Sequence, residues 1–88
     1  MYRIKVERQA IKALARLPLQ DQSRVGATID KLAEDPRPTG CMPVRTTEPG
    51  TYRLRVGNYR VIYIVLDSEQ VIIIARVAKR GEDTYKGL

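Results

Sequence analysis

The chain has 88 residues, 43% hydrophobic and 30% charged, a balance that fits a single globular domain over residues 1–88 and excludes a disordered tail. Sixteen Lys and Arg against ten Asp and Glu leave a formal charge of +6, which in so small a body predicts attraction to polyanions. Cys41 stands alone and histidine is absent, which excludes an intrachain disulfide, a zinc cluster and imidazole acid-base chemistry, so no metal and no cofactor is expected.

At the N-terminus Tyr2, Ile4 and Val6 alternate with Arg3, Lys5 and Glu7, the period of a half-buried strand and not the pattern of a targeting signal. No apolar stretch approaches a membrane span, and a reducing cytoplasm is the expected location. From Arg8 to Leu17 the apolar residues Ala10, Ile11, Ala13, Leu14 and Leu17 recur at helical spacing until Pro18 stops them. A second helix follows, capped by Asp21 or Ser23, with Val25, Ile29, Leu32 and Ala33 on one stripe and Asp35-Pro36 at its end. Pro36, Pro38, Gly40, Pro43, Pro49 and Gly50 then mark a loop with a short extended piece.

Three runs rich in β-branched and aromatic residues complete the chain: Tyr52 to Val56, Tyr59 to Leu66 and Val71 to Val77. The order is β-α-α-β-β-β, an α+β fold in which a helix hairpin packs on one face of a mainly antiparallel sheet.

Gly57-Asn58 is a two-residue hairpin loop, and such a loop fixes register by counting. Val56 then pairs with Tyr59, Arg55 with Arg60, Leu54 with Val61 and Arg53 with Ile62. Arg53, Arg55 and Arg60 share one face, while Tyr52, Leu54, Val61 and Tyr63 line the other, toward the helices. Like charges directly opposite each other on a sheet cost stability. Either an anionic ligand offsets that cost, or Glu48, Glu82 or Asp83 folds over the pair as a carboxylate partner.

The next turn, at Asp67 to Gln70, pairs Leu66 with Val71, and simple counting brings Val77 opposite Arg60. On that count Arg76 lies on the Tyr59 and Val61 face and reads as structural. Alternation places Lys79 on the Arg60 face and Arg80 on the other. The strand is expected to stop near Ala78, however, so parity does not decide which of the two enters the site. Tyr85 reads either as a C-terminal anchor packing on the sheet or as a stacking or proton-transfer group beside the cations.

The pattern Tyr52-Arg53-Leu54-Arg55, Tyr59-Arg60-Val61-Ile62-Tyr63 and Ala78-Lys79-Arg80 through Tyr85 resembles the RelE toxins of the RelE/ParE toxin-antitoxin superfamily, over essentially the whole chain. The resemblance implies a ribosome-dependent endoribonuclease that cleaves messenger RNA in the A site. It also implies a RelB-like antitoxin from the same operon, with DNA met only through that antitoxin. Arg53, Arg55, Arg60, Arg80 and Tyr85 match the family's functional positions, with Lys79 as a further RNA contact; the family often carries lysine where this chain has Arg53 and Arg55. The other readings are a ParE-like inhibitor of DNA gyrase acting by protein contact and a non-catalytic binding module.

RNA cleavage by its own 2′-hydroxyl needs a base, charge stabilisation and a proton for the leaving 5′-oxygen. Arginine forks suit the phosphate, yet arginine stays protonated and is a poor base. The candidate bases are Tyr85, Lys79, or a group on the ribosome or substrate.

Overall fold

The computed structural model describes residues 1–45 and 48–79. Strand β1 (Arg3–Val6) leads into helix α1 (Arg8–Ala15) and helix α2 (Leu19–Leu32), followed by β2 (Met42–Pro43), β3 (Thr51–Val56), β4 (Tyr59–Leu66) and β5 (Val71–Lys79). A short 3-10 turn, Asp67–Glu69, joins the last two strands, and Gln70 closes it with a left-handed φ of 53°.

Pro18 sets both helix boundaries. A residue preceding proline is pushed out of the helical region, so α1 stops at Ala15, and Leu17 closes the turn by donating its N–H to Leu14 at 3.1 Å. Helix α2 begins at Leu19 with Pro18 in the capping position, where its missing N–H is no loss. Neither Asp21 nor Ser23 caps it. Asp21 lies inside the first turn, where its charge suits the helix dipole, and accepts a 2.8 Å hydrogen bond from the Tyr59 hydroxyl.

The sheet order is β1-β5-β4-β3-β2, antiparallel throughout except for the parallel β1–β5 pair. Both helices cover one face. Ala10 of α1 and Val25, Ile29 and Leu32 of α2 meet Leu54, Val61, Tyr63, Ile72, Ile74 and Val77 of the strands in one buried cluster. Burying a Leu or Ile side chain in this way contributes about 1.5 to 3 kcal/mol. Alternation does the sorting: β3 reads buried at Leu54 and Val56 but exposed at Arg53 and Arg55.

Two features of the sheet bear on the site. Strand β2 is so short that it pairs only with Tyr52 and Arg53, and among the described residues β3 has no neighbour on that side further along. The β4–β5 ladder carries a β-bulge. From Leu66↔Val71 to Tyr63↔Ile74 the pairing follows simple counting, and then it shifts by one residue, giving Ile62↔Arg76, Val61↔Val77 and Arg60↔Ala78. The expected Val77–Arg60 pairing is therefore corrected to Ala78–Arg60, and β5 runs on to Lys79.

Candidate functional site

The hairpin loop creates the site. Gly57 sits at φ +58°, a conformation that is strained for residues with a Cβ, and the turn it allows delivers the expected register: Val56↔Tyr59, Arg55↔Arg60, Leu54↔Val61 and Arg53↔Ile62. Arg53, Arg55 and Arg60 consequently stand on the sheet face away from the helices. They line a cleft of about 240 Å³ together with Gly40, Met42 and Leu54. A larger groove of about 540 Å³ lies between α2 and β3 and shares only Leu54 and Arg55 with the cleft.

The bulge changes what else lies on that face. Because Arg76 pairs with Ile62, which itself pairs with Arg53, Arg76 belongs to the arginine face and not to the Tyr59 and Val61 face that simple counting gave it. The same shift sets Lys79 opposite Tyr59, whose ring belongs to the helix-side core, so Lys79 leaves the Arg60 face. Sequence reasoning put Arg76 on the wrong face because nothing in Ile74-Ala75-Arg76 advertises a bulge.

Charge is segregated on this open face. Arg3 and Lys5 of β1 lie on it through their pairing with Val71 and Ile73, and Arg53, Arg55, Arg60 and Arg76 follow across the sheet. None of the strands contains an acidic residue. Between the cations the floor is apolar: Ile62 is 3% exposed and Ala78 7%. Cationic forks around an apolar floor can hold a sugar-phosphate backbone by charge and bases by their faces.

The opposite end of the same strands holds a paired polar cluster that the sequence did not announce. Arg37, in the loop after α2, donates to Asp67 at 2.6 Å and to the Tyr52 hydroxyl at 3.0 Å, with its guanidinium 5.4 Å from the Tyr52 ring centre. Tyr2 donates to the same Asp67 at 2.6 Å. Tyr52 stacks on Tyr63 at 5.9 Å, and Tyr63 donates to the Pro36 carbonyl at 2.8 Å. Only the Tyr52–Tyr63 juxtaposition was implicit in the register count.

These contacts shift acidities. Hydrogen bonds from Arg37 and then Tyr2 hold the Asp67 carboxyl below its ordinary value, while its contact with Asp67 raises the Tyr2 phenol. The Tyr59 phenol is raised by its bond to Asp21, and that of Tyr63 chiefly by burial. None of these three phenols is suited to accept a proton from RNA at neutral pH. Arg80 and Tyr85, and the suggested partners Glu82 and Asp83, lie outside the described residues. Among the described residues no group of His, Cys, Asp and Glu could hold a metal ion, and no helix is long and apolar enough to cross a membrane.

Comparison with known proteins gives consistent relatives. The family model for the ParE toxin of the type II toxin-antitoxin system parDE matches residues 4–84. The RelE1 protein of Methanocaldococcus jannaschii is 28% identical over 87 residues, covering 97% of this chain and 96% of its own. The archaeal RelE-RelB complex from Pyrococcus horikoshii superimposes with a TM-score of 0.82 at 35% identity, over 92% of this chain and 97% of that one. The RelBE2 toxin-antitoxin complex of Mycobacterium tuberculosis gives 0.78 at 28% identity, over 90% and 98%. The isolated E. coli RelE toxin, at 19% identity, shares the fold with a TM-score of 0.80 over 98% and 92%.

Proposed function

The chain belongs to the RelE/ParE superfamily of type II toxin-antitoxin toxins, and from that membership we propose that it is a ribosome-dependent endoribonuclease cutting messenger RNA in the A site. The convergence of Arg53, Arg55 and Arg60 on one cleft carries this reading. Arg60, with Arg53 or Arg55, grips the scissile phosphate in forked hydrogen bonds and stabilises the charge that develops on it. The RNA 2′-oxygen attacks the phosphorus and the 5′-oxygen departs. One proton leaves the 2′-hydroxyl and one reaches the 5′-oxygen. Tyr85, which lies outside the described residues, is the proposed proton acceptor; Lys79, the other candidate, stands on the face away from Arg60.

A RelB-like antitoxin encoded in the same operon is the proposed neutralising partner, as in the solved complexes of the archaeal and mycobacterial relatives. The deciding experiment maps the 5′ ends of cellular messages after induced expression. Codon-phased cuts that vanish in Arg60→Ala support the ribonuclease. Intact messages with gyrase-dependent DNA damage favour the ParE-like reading, in which the protein inhibits gyrase by contact; the matched family model speaks for that second reading.

A further inference from the structure

The bulge in the β4–β5 ladder is the observation with the longest reach. Without it, Arg76 would point to the helix side, where a charged group among Val61, Ile74 and Val77 would be costly to bury. With it, Arg76 is the outer member of a row that runs Arg53–Ile62–Arg76 across three strands. Strands lie about 4.8 Å apart, so the row spans about two such steps. Arg76 is also the diagonal neighbour of Arg60, at roughly 7 to 8 Å between backbone positions. Ala78, directly opposite Arg60, is too small to stand between the two guanidinium groups.

We propose that Arg76 is a further phosphate ligand of the RNA site, holding the backbone one nucleotide away from the phosphate gripped by Arg53, Arg55 and Arg60. This rests on the RNA-cleaving reading of the same face and adds to it a direction. The strand would cross the sheet from the β3 edge toward β5, with Lys5 and Arg3 of β1 further along the same cationic face. A diagonal step from Arg60 to Arg76 is a distance that one nucleotide can bridge, and the buried Ile62 supplies an apolar floor beneath it.

The test measures binding of a fluorescent ten-nucleotide oligouridylate by anisotropy between 50 and 200 mM KCl. Each phosphate contact on a single strand adds about 0.7 to the logarithmic salt slope. The two phosphates held in this way therefore predict an affinity loss of roughly 7-fold across that range, and one phosphate about 3-fold. Wild type should show the first and Arg76→Ala the second, with Arg76→Lys restoring the steeper response. Arg16→Ala, which removes an equal charge from the exposed end of α1, should match wild type.

A purely structural Arg76 would lower Tm without flattening the slope. If Arg76→Ala fails to fold, Arg76→Gln removes the charge at similar length and gives the same readout. An unchanged slope in either charge-removing variant, or an equal loss in Arg16→Ala, overturns the proposal. If Arg60→Ala flattens the slope and Arg76→Ala does not, only this inference fails. If wild type itself responds flatly, the RNA reading fails with it.

Discussion

The two ends of the β3–β4 hairpin use arginine in opposite ways. At one end Arg37 is spent on internal contacts, bonded to Asp67 and Tyr52 and lying over the Tyr52 ring. At the other end the tight turn at Gly57 brings Arg55 directly opposite Arg60 on strands that contain no carboxylate. The first arrangement joins the N-terminus, the loop after α2 and the β4–β5 turn. In the second, like charges face each other across the ladder, a pairing that by itself costs stability. Shape comes from one end, and the proposed grip on a polyanion from the other.

The contrast breaks most visibly at Arg60. Arg60→Ala should reduce cleavage in a ribosome-programmed assay by about 10² to 10³, the loss typical of one well-aimed donor, while Tm stays level or rises. A clear fall in Tm would move Arg60 to the structural end of the comparison. Next in size, Gly57→Ala forces a Cβ onto a left-handed residue and should cost about 1 to 2 kcal/mol in denaturant unfolding. Because the same turn sets the arginine register, cleavage should fall with it.

Smaller effects sharpen the other end. Tyr63→Phe removes the buried hydroxyl that reaches the Pro36 carbonyl and should lose about 1 kcal/mol of stability with cleavage unchanged. Smallest is the acid response of Asp67. Its carboxyl is held below the ordinary value of 3.8, chiefly by Arg37, so its contribution is present above that value and is lost as pH falls through the lowered one. Melting curves of wild type and Asp67→Asn should differ at pH 7 and converge in strong acid. A gap that persists at pH 2 would remove the charge pair from the account.

Much of this was legible in the sequence, because period-2 alternation and a Gly-Asn loop leave little freedom in a hairpin. The four pairs from Val56↔Tyr59 to Arg53↔Ile62 follow from counting alone. Counting held across the next turn as far as Tyr63↔Ile74 and failed beyond it, where one extra residue in β5 moved Arg76 and Lys79 to faces opposite those expected. A bulge is a tertiary compromise, and Ala75 carries no local sign of it. The start of α2 was missed because Asp21 and Ser23 have the chemistry of caps, whereas Pro18 claimed the position three residues before Asp21. Arg37–Asp67 joins residues far apart in the chain, and no short-range pattern announces such a pair.

The brevity of β2 has a consequence for how copies of this protein meet one another. Past Arg53 the outer edge of β3 has no neighbouring strand among the described residues, and a bare edge is a template on which another chain can add a strand of its own. Arg53 and Arg55 are exposed beside that edge, and each would meet the same positive charge on an approaching twin. The cations gathered around the cleft thereby also act as gatekeepers of solubility, and charge-removing variants on β3 are best handled dilute.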